Sequence, residues 1–260
     1  MPDKMIRKLS RQLNHGTYLR SFSIPFIRFI SVLLFCALPW LITLIVDKTG
    51  LRDTMQSINH TLPAIFITVL CALTVFQAGL AYSSFSLGEK AWYTGRLTRK
   101  KLCGKRLRFW FAPSRSFKAL KLRAMIFLLK FLWTFALISP ALLMFSAVVG
   151  TAVTGGIEFY LFLSLSTGGA VLLIIGLIFR FIIIQRYYLA PYLLADNPKL
   201  TPVQAIKQSK NLLDGHLMRI VRFKFKFIPC FALYPLIIPV IFFHPHYKQS
   251  CSVLAKEICL

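Results

Sequence analysis

Few residues in this chain have a type and spacing suited to chemistry. His244-Pro-His246 sets two imidazoles close together, as a metal site would, but no third ligand of suitable type is near in sequence. Asp196 and Asp214 could serve as acids, yet Asp196-Asn-Pro198 reads more naturally as a turn and Asp214 as a cap. Glu158 is the sole acid between the third and fourth uncharged runs and sits at a boundary. Six cysteines are scattered without a C-x-x-C, so neither a zinc site nor a redox motif is supported. Cys251 and Cys259 stand about 12 Å apart if helical, too far for a disulfide without a bend. The chain has no G-x-x-x-x-G-K-[ST], G-x-S-x-G or H-E-x-x-H, which leaves no basis for an ATPase, a serine hydrolase or a zincin. No catalytic residue, cofactor or metal is expected, and the chain is not read as an enzyme.

Positive charge is what the chain has in quantity. Lys and Arg number 32 against 8 Asp and Glu, a formal charge of +24. Between Lys90 and Arg123 these cations alternate with Trp92, Tyr93, Phe109, Trp110 and Phe111. Three readings fit such a stretch. It is a topology determinant with interfacial aromatics. It attracts anionic lipid, each basic residue adding about 1 kcal/mol near the surface, with Arg99, Lys100, Lys101, Lys105, Arg106 and Arg108 as the contact candidates. Or it binds nucleic acid by charge and stacking. The last is disfavoured, because no nucleic-acid-binding module is present and membrane insertion already accounts for the charge. The expected partners are the lipid bilayer, anionic headgroups and a membrane protein partner, with no nucleic acid.

Those cations are positioned by long apolar elements. The chain of 260 residues is 57% hydrophobic and 15% charged, against about 45–50% and 25% in soluble domains. Five runs carry no Asp, Glu, Lys or Arg: Phe29–Val46, Thr61–Gly88, Phe131–Ile157, Phe159–Phe179 and Phe227–Tyr247. About 20 helical residues cross a hydrocarbon core, and unpaired backbone amides cost several kcal/mol each in lipid, so the runs are expected to be helices. The expected fold is all-α, a polytopic transmembrane helix bundle in a single integral membrane domain over 1–260. About five spans are predicted, near 27–46, 62–86, 127–149, 159–181 and 227–244, with a basic cytoplasmic loop at 89–124. The first run is short, but Arg28 can snorkel to the headgroups. It follows a basic N-terminus as a secretory signal does, yet its length and the lack of a cleavage site favour an uncleaved helix.

Charge sets the orientation. The segments 1–28, 89–124 and 185–226 hold 26 Lys and Arg, whereas the alternate connectors and the tail hold 4. The positive-inside rule places the rich segments in the cytoplasm, at a cell membrane crossed several times. Lys130 and Arg180 fall near the cytoplasmic ends of their helices, where a charge costs least. Five crossings would leave the C-terminus outside. The fifth run is the weakest, because Pro229, Pro235, Pro239 and Pro245 suit either a kinked crossing or a re-entrant element.

Packing signals are clearer than chemical ones. Thr201-Pro202-Val203-Gln204 has Thr as N-cap, Pro at the first helical position and Gln to close a capping box. A short amphipathic cytoplasmic helix over 202–213 follows, with Pro202, Ala205, Ile206, Ser209, Leu212 and Leu213 on one face and Gly215 as its stop. Ser209 bonds either to another helix or to its own backbone. In the fourth run Ser164, Ser166, Gly168, Gly169, Ala170 and Gly176 give small faces for a neighbouring helix, by default one of this chain. Pro39 and Pro140 should bend their helices, which leaves open a permease or export component with a proline-kinked, uncharged path. Against that, five spans do not divide into two repeats.

The string Tyr188-Leu-Ala-Pro191-Tyr-Leu-Leu-Ala-Asp196-Asn-Pro198, with Ala205-Ile206, Ser209 and Gly215 after it, resembles a group of uncharacterised bacterial multi-pass membrane proteins known as a domain of unknown function. It is also similar to the membrane domain attached to some glycerophosphodiester phosphodiesterases, although no catalytic domain is attached here. The resemblance covers about 30 residues. It implies a helical membrane bundle with an inner amphipathic helix before the last span, and says nothing of chemistry. The expected role is that of a non-catalytic membrane protein acting through lipid or protein partners.

Overall fold

The computed structural model describes residues 3–14, 18–50, 61–97, 108–153, 159–228 and 237–259. Among these the chain is helical and has no strand. The helices are α1 (Asp3–Asn14), α2 (Tyr18–Lys48), α3 (Leu62–Leu97), α4 (Pro113–Val153), α5 (Phe159–Ile184), α6 (Ala190–Asp196), α7 (Pro202–Leu213), α8 (Leu217–Phe225) and α9 (Ile237–Cys259). Short 3₁₀ turns at Phe109–Phe111 and Gln185–Tyr187 lead into α4 and α6.

Among the described residues, three stretches are long and apolar enough to cross a membrane: Leu62–Leu97, Pro113–Gly150 and Tyr160–Asp196. Only 11% of the residues in each apolar window are buried within the protein. Side chains such as Phe135, Leu143, Tyr160 and Val171 therefore point outward, which is stable against lipid tails and not against water. α2, which carries the first uncharged run, is not among the three, and residues 229–236 of the fifth run lie outside the described residues.

The expected loop over 89–124 is mostly helix. Residues 89–97 continue α3 past its uncharged run, and 113–124 begin α4. Each span thus extends as an unbroken rod beyond the apolar region, because the basic stretch is rich in Lys, Arg, Leu and Ala, all good helix formers. The turn between them is pinned by Trp110, which is fully buried, and by Ser116 Oγ donating to the Trp110 carbonyl at 2.9 Å.

α4 and α5 are joined by the small face predicted in the fourth run, so its neighbour belongs to this chain. Gly169 meets the Phe145 ring, Gly168 meets the Met144 thioether, and Gly176 lies against the backbone of Leu137. α4 runs on through Pro140.

The amphipathic helix α7 forms as predicted. Thr201 Oγ1 accepts from the Gln204 N–H at 3.3 Å, and Gln204 Oε1 accepts from the Thr201 N–H at 2.9 Å. Gly215 adopts φ 83, the left-handed conformation a helix stop favours. Ser209 takes the interhelical option: its hydroxyl is buried and donates to the Arg186 carbonyl at 2.8 Å, so α7 satisfies the turn that ends α5.

Two apolar cores build the end of the molecule where the basic segments gather. One joins Leu87 of α3, Trp110, Leu122 of α4, Leu194 of α6 and Ile206 of α7. The other joins Ile6 of α1, Leu189, Tyr192 of α6, Ile220 and Phe223 of α8, and Leu254 of α9. The second core brings the two terminal helices together. The C-terminal half of α9 lies against α1 and beside α6 and α8, where Lys256 Nζ is 2.9 Å from Asp196 Oδ2 and Arg219 is 2.8 Å from Glu257 Oε1. Ser10 Oγ sits 2.9 Å from His246 Nδ1. The two terminal helices thus pack on one another. The last residues of the uncharged run Phe227–Tyr247 are helical and continue directly into Gln249, Ser250 and Ser252, which are buried in the protein. Pro229 and Pro235 lie outside the described residues; Pro245 lies inside α9.

Candidate anion-binding chamber

Where α3, α4 and α5 reach the basic end, they splay around two adjoining lobes of a chamber, of ≈ 330 Å³ and ≈ 460 Å³. Both fall within the size range of small-molecule sites. The first lobe is walled by α3, α4, α6 and α9 and holds Lys90, Arg123, Lys130 and Lys248. The second is walled by α3, α4, α5, α6 and α8 and holds Lys90, Lys130, Arg180 and Lys224. Lys90, Lys130, Ile126 and Pro191 belong to both lobes.

Each cation is oriented by its neighbours. Lys90 Nζ donates to Ser86 Oγ at 3.2 Å and lies 5.8 Å from the Tyr192 ring centroid. The Arg123 guanidinium stacks 3.9 Å over the Tyr82 ring. Arg180 Nε donates to Thr134 Oγ1 at 2.7 Å, which fixes its guanidinium on the face of α5 that meets α4. Lys224 reaches in from α8, donating to Gln185 Oε1 and lying 4.4 Å from the Tyr188 ring. Tyr188 is itself held by donating to the Cys251 carbonyl at 2.7 Å, and Tyr187 by accepting from Trp133 Nε1 at 3.0 Å. These are ring, hydroxyl and amide contacts, which position a cation without neutralising it.

Carboxylates are scarce. Glu89, almost fully buried, is 3.6 Å from Lys248. Arg123, Lys130, Arg180 and Lys224 have no carboxylate partner among the described residues. Burial pushes the Lys224 ammonium down to about 8; Cys251 opposes that shift, and the charges of Lys130 and Lys248 add to it. An anion in the chamber would relieve this repulsion, and desolvated cations beside low-dielectric walls bind anions more strongly than the same groups in water. The rim is apolar: Phe127 is 70% exposed and lines the first lobe, while Phe181 and Ile184 line the second.

The residues expected to contact anionic lipid fare differently. Arg99, Lys100, Lys101, Lys105 and Arg106 lie outside the described residues, and Arg108 is exposed at the start of the Phe109–Phe111 turn, away from either lobe's lining. Asp196 pairs with Lys256, and Asp214 is the C-cap of α7. His246 faces Ser10, and Glu158 lies outside the described residues. Sequence reasoning passed over the six chamber cations by counting them for topology. Lys130 and Arg180 carried the available signal, being single charges at the matching ends of two spans that pack on each other.

A comparison with known protein families, curated proteins and solved structures gives no match.

Proposed function

We propose that this chain is a non-catalytic membrane protein that holds the anionic headgroup of a lipid in its basic chamber. The observation that carries the reading is the set of six cations around two lobes that also open onto an apolar rim. An amphiphile satisfies both surfaces at once, phosphate on the lysines and arginines and acyl chain beside Phe127 and the outward face of α4. Arg and Lys recognise phosphate without chemical change, and among the described residues no carboxylate lines either lobe; Glu89, outside both linings, is 3.6 Å from Lys248.

In this reading α2 to α5 cross the membrane four times, the Phe227–Tyr247 run is the re-entrant alternative, and both ends of the chain lie in the cytoplasm with the chamber at the inner leaflet. The apolar exposed side chains of α2, including Leu34, Trp40 and Ile45, support the first crossing. The contacts of α9 with α1 and α6 support the even number. A permease would need a path continued to the far face; the chamber lining comes from the basic ends of α3, α4 and α5 and from α6, α8 and α9.

Thermal unfolding in nanodiscs tests the reading. Replacing part of a phosphatidylcholine bilayer with phosphatidylglycerol should raise the melting temperature, because a ligand that binds only the folded state stabilises it. The doubly substituted Lys90→Ala, Lys130→Ala protein, without either lysine shared by the two lobes, should lose that rise. An equal rise in the variant, or none in the parent, overturns the assignment.

A further inference from the structure

We infer that the chamber's ligand carries two phosphoryl groups, one seated in each lobe and both spanned by the shared lysines. The inference rests on the headgroup reading and deepens it. The two lobes have matching equipment: each has one arginine of its own, Arg123 or Arg180, and one lysine of its own, Lys248 or Lys224. Lys90 and Lys130 stand on the boundary and line both. A guanidinium offers a planar fork to a phosphate, and an ammonium adds a point charge, so each lobe alone is a complete phosphate cradle.

A ligand with one phosphate would fill one cradle and leave the other's like charges repelling one another. That cost is avoided when two phosphates are joined closely enough to share the central lysines. The adjacency of the lobes, which have Ile126 and Pro191 in common as well, requires a short connection between the phosphates. The ligand class is thus a lipid whose headgroup holds two phosphoryl groups linked directly or through a short polyol. The apolar rim at Phe127, Phe181 and Ile184 receives its chains.

The different origins of the lobe walls give the test its resolution. Arg123 sits on α4 and belongs to the first lobe alone; Arg180 sits on α5 and belongs to the second alone. Substituting either arginine leaves the other cradle whole. A ligand with two phosphates should then fall to the affinity of a ligand with one, while a ligand with one is held nearly as before.

The experiment is a binding titration on the full chain in phosphatidylcholine nanodiscs. The probes are cardiolipin against phosphatidylglycerol at matched phosphate, a prenyl diphosphate against the prenyl monophosphate, and inorganic diphosphate. At least one two-phosphate lipid should bind about tenfold tighter than its one-phosphate counterpart, a difference of about 1.4 kcal/mol. Arg123→Gln and Arg180→Gln should each remove most of that preference and change one-phosphate binding by less than about threefold. Equal affinity for both members of each lipid pair overturns the inference and leaves the headgroup reading standing. Failure of every lipid to bind overturns both. Inorganic diphosphate binding as tightly as the lipids overturns the lipid assignment, because the apolar rim would then contribute nothing. Melting temperatures of the variants without ligand, close to that of the parent, separate lost recognition from lost folding.

Discussion

Gly176 presses against the carbonyl of Leu137 so closely that a Cβ added to the glycine would lie 2.5 Å from that oxygen. The obstacle is backbone, which cannot rotate away, so the distance between α4 and α5 is set by the missing side chain. Gly176→Ala should lower stability by about 1–3 kcal/mol through forced separation of the two helices. Gly168→Ala should change little, since its Cβ would meet the Met144 methyl at an ordinary 3.5 Å. Melting temperatures of the two variants in detergent check the contrast; equal losses would show that the close approach is not what holds the pair.

The α7 segment offers a paired measurement of capping against interhelical bonding. Thr201→Ala removes one half of the capping box and should cost about 1 kcal/mol. Ser209→Ala deletes a buried donor and leaves the Arg186 carbonyl unsatisfied, at a cost of about 1–3 kcal/mol. Because Arg186 borders the Gln185 and Tyr187 wall of the second lobe, the second variant should also weaken binding of a two-phosphate lipid, and the first should not. Denaturation and titration of both variants decide it.

Lys224 gives the chamber a pH dependence of opposite sign with and without ligand. Its folded-state pKa is about 8, below the ordinary 10.5. Between those values the unfolded chain holds a proton that the empty folded protein has released, so stability of the empty protein should rise as pH climbs from about 8 towards 10.5. Anion binding needs the ammonium, so headgroup affinity should fall over the same climb, beginning near pH 8. Lys224→Met should flatten both trends. Titrations at pH 7, 8 and 9 check the affinity, and a Lys224→Met protein that keeps the full pH dependence assigns it elsewhere.

The docking of α9 on α1 makes a topological prediction. Reporters fused to the N-terminus and after Cys259 should report the same side of the membrane, and a reporter at position 155 the other. Opposite readings for the two ends would show that the contacts of Lys256 with Asp196 and of His246 with Ser10 do not form in the membrane.

Local features of this fold were legible in the sequence where one element determines its own structure. The capping box, the stop at Gly215, the stripe of α7 and the small face of α5 all follow from residues within one turn or two of each other. The helical spans of α3, α4 and α5 were legible because hydrocarbon leaves the backbone no other partner. Two things were not. The packing of the residues from His246 onward against α1, α6 and α8 is one, because it rests on tertiary contacts with no local signal. The chamber was hidden more thoroughly, since Lys90, Arg123, Lys130, Arg180, Lys224 and Lys248 come from five helices spread over most of the chain. Each cation taken singly has an adequate explanation at a membrane boundary. Their convergence depends on helix crossing and on α9 folding back, neither of which has a local signature.

The contribution of Lys248 has a consequence for biogenesis. Ribosomes deliver α3, α4 and α5 to the bilayer long before α9 has been made, so the first lobe exists during synthesis with one wall missing. A nascent protein halted at residue 226 has the second lobe's four cations and lacks Lys248 of the first, so on the two-phosphate reading it should hold a one-phosphate lipid and show no preference for two phosphates until α9 is added.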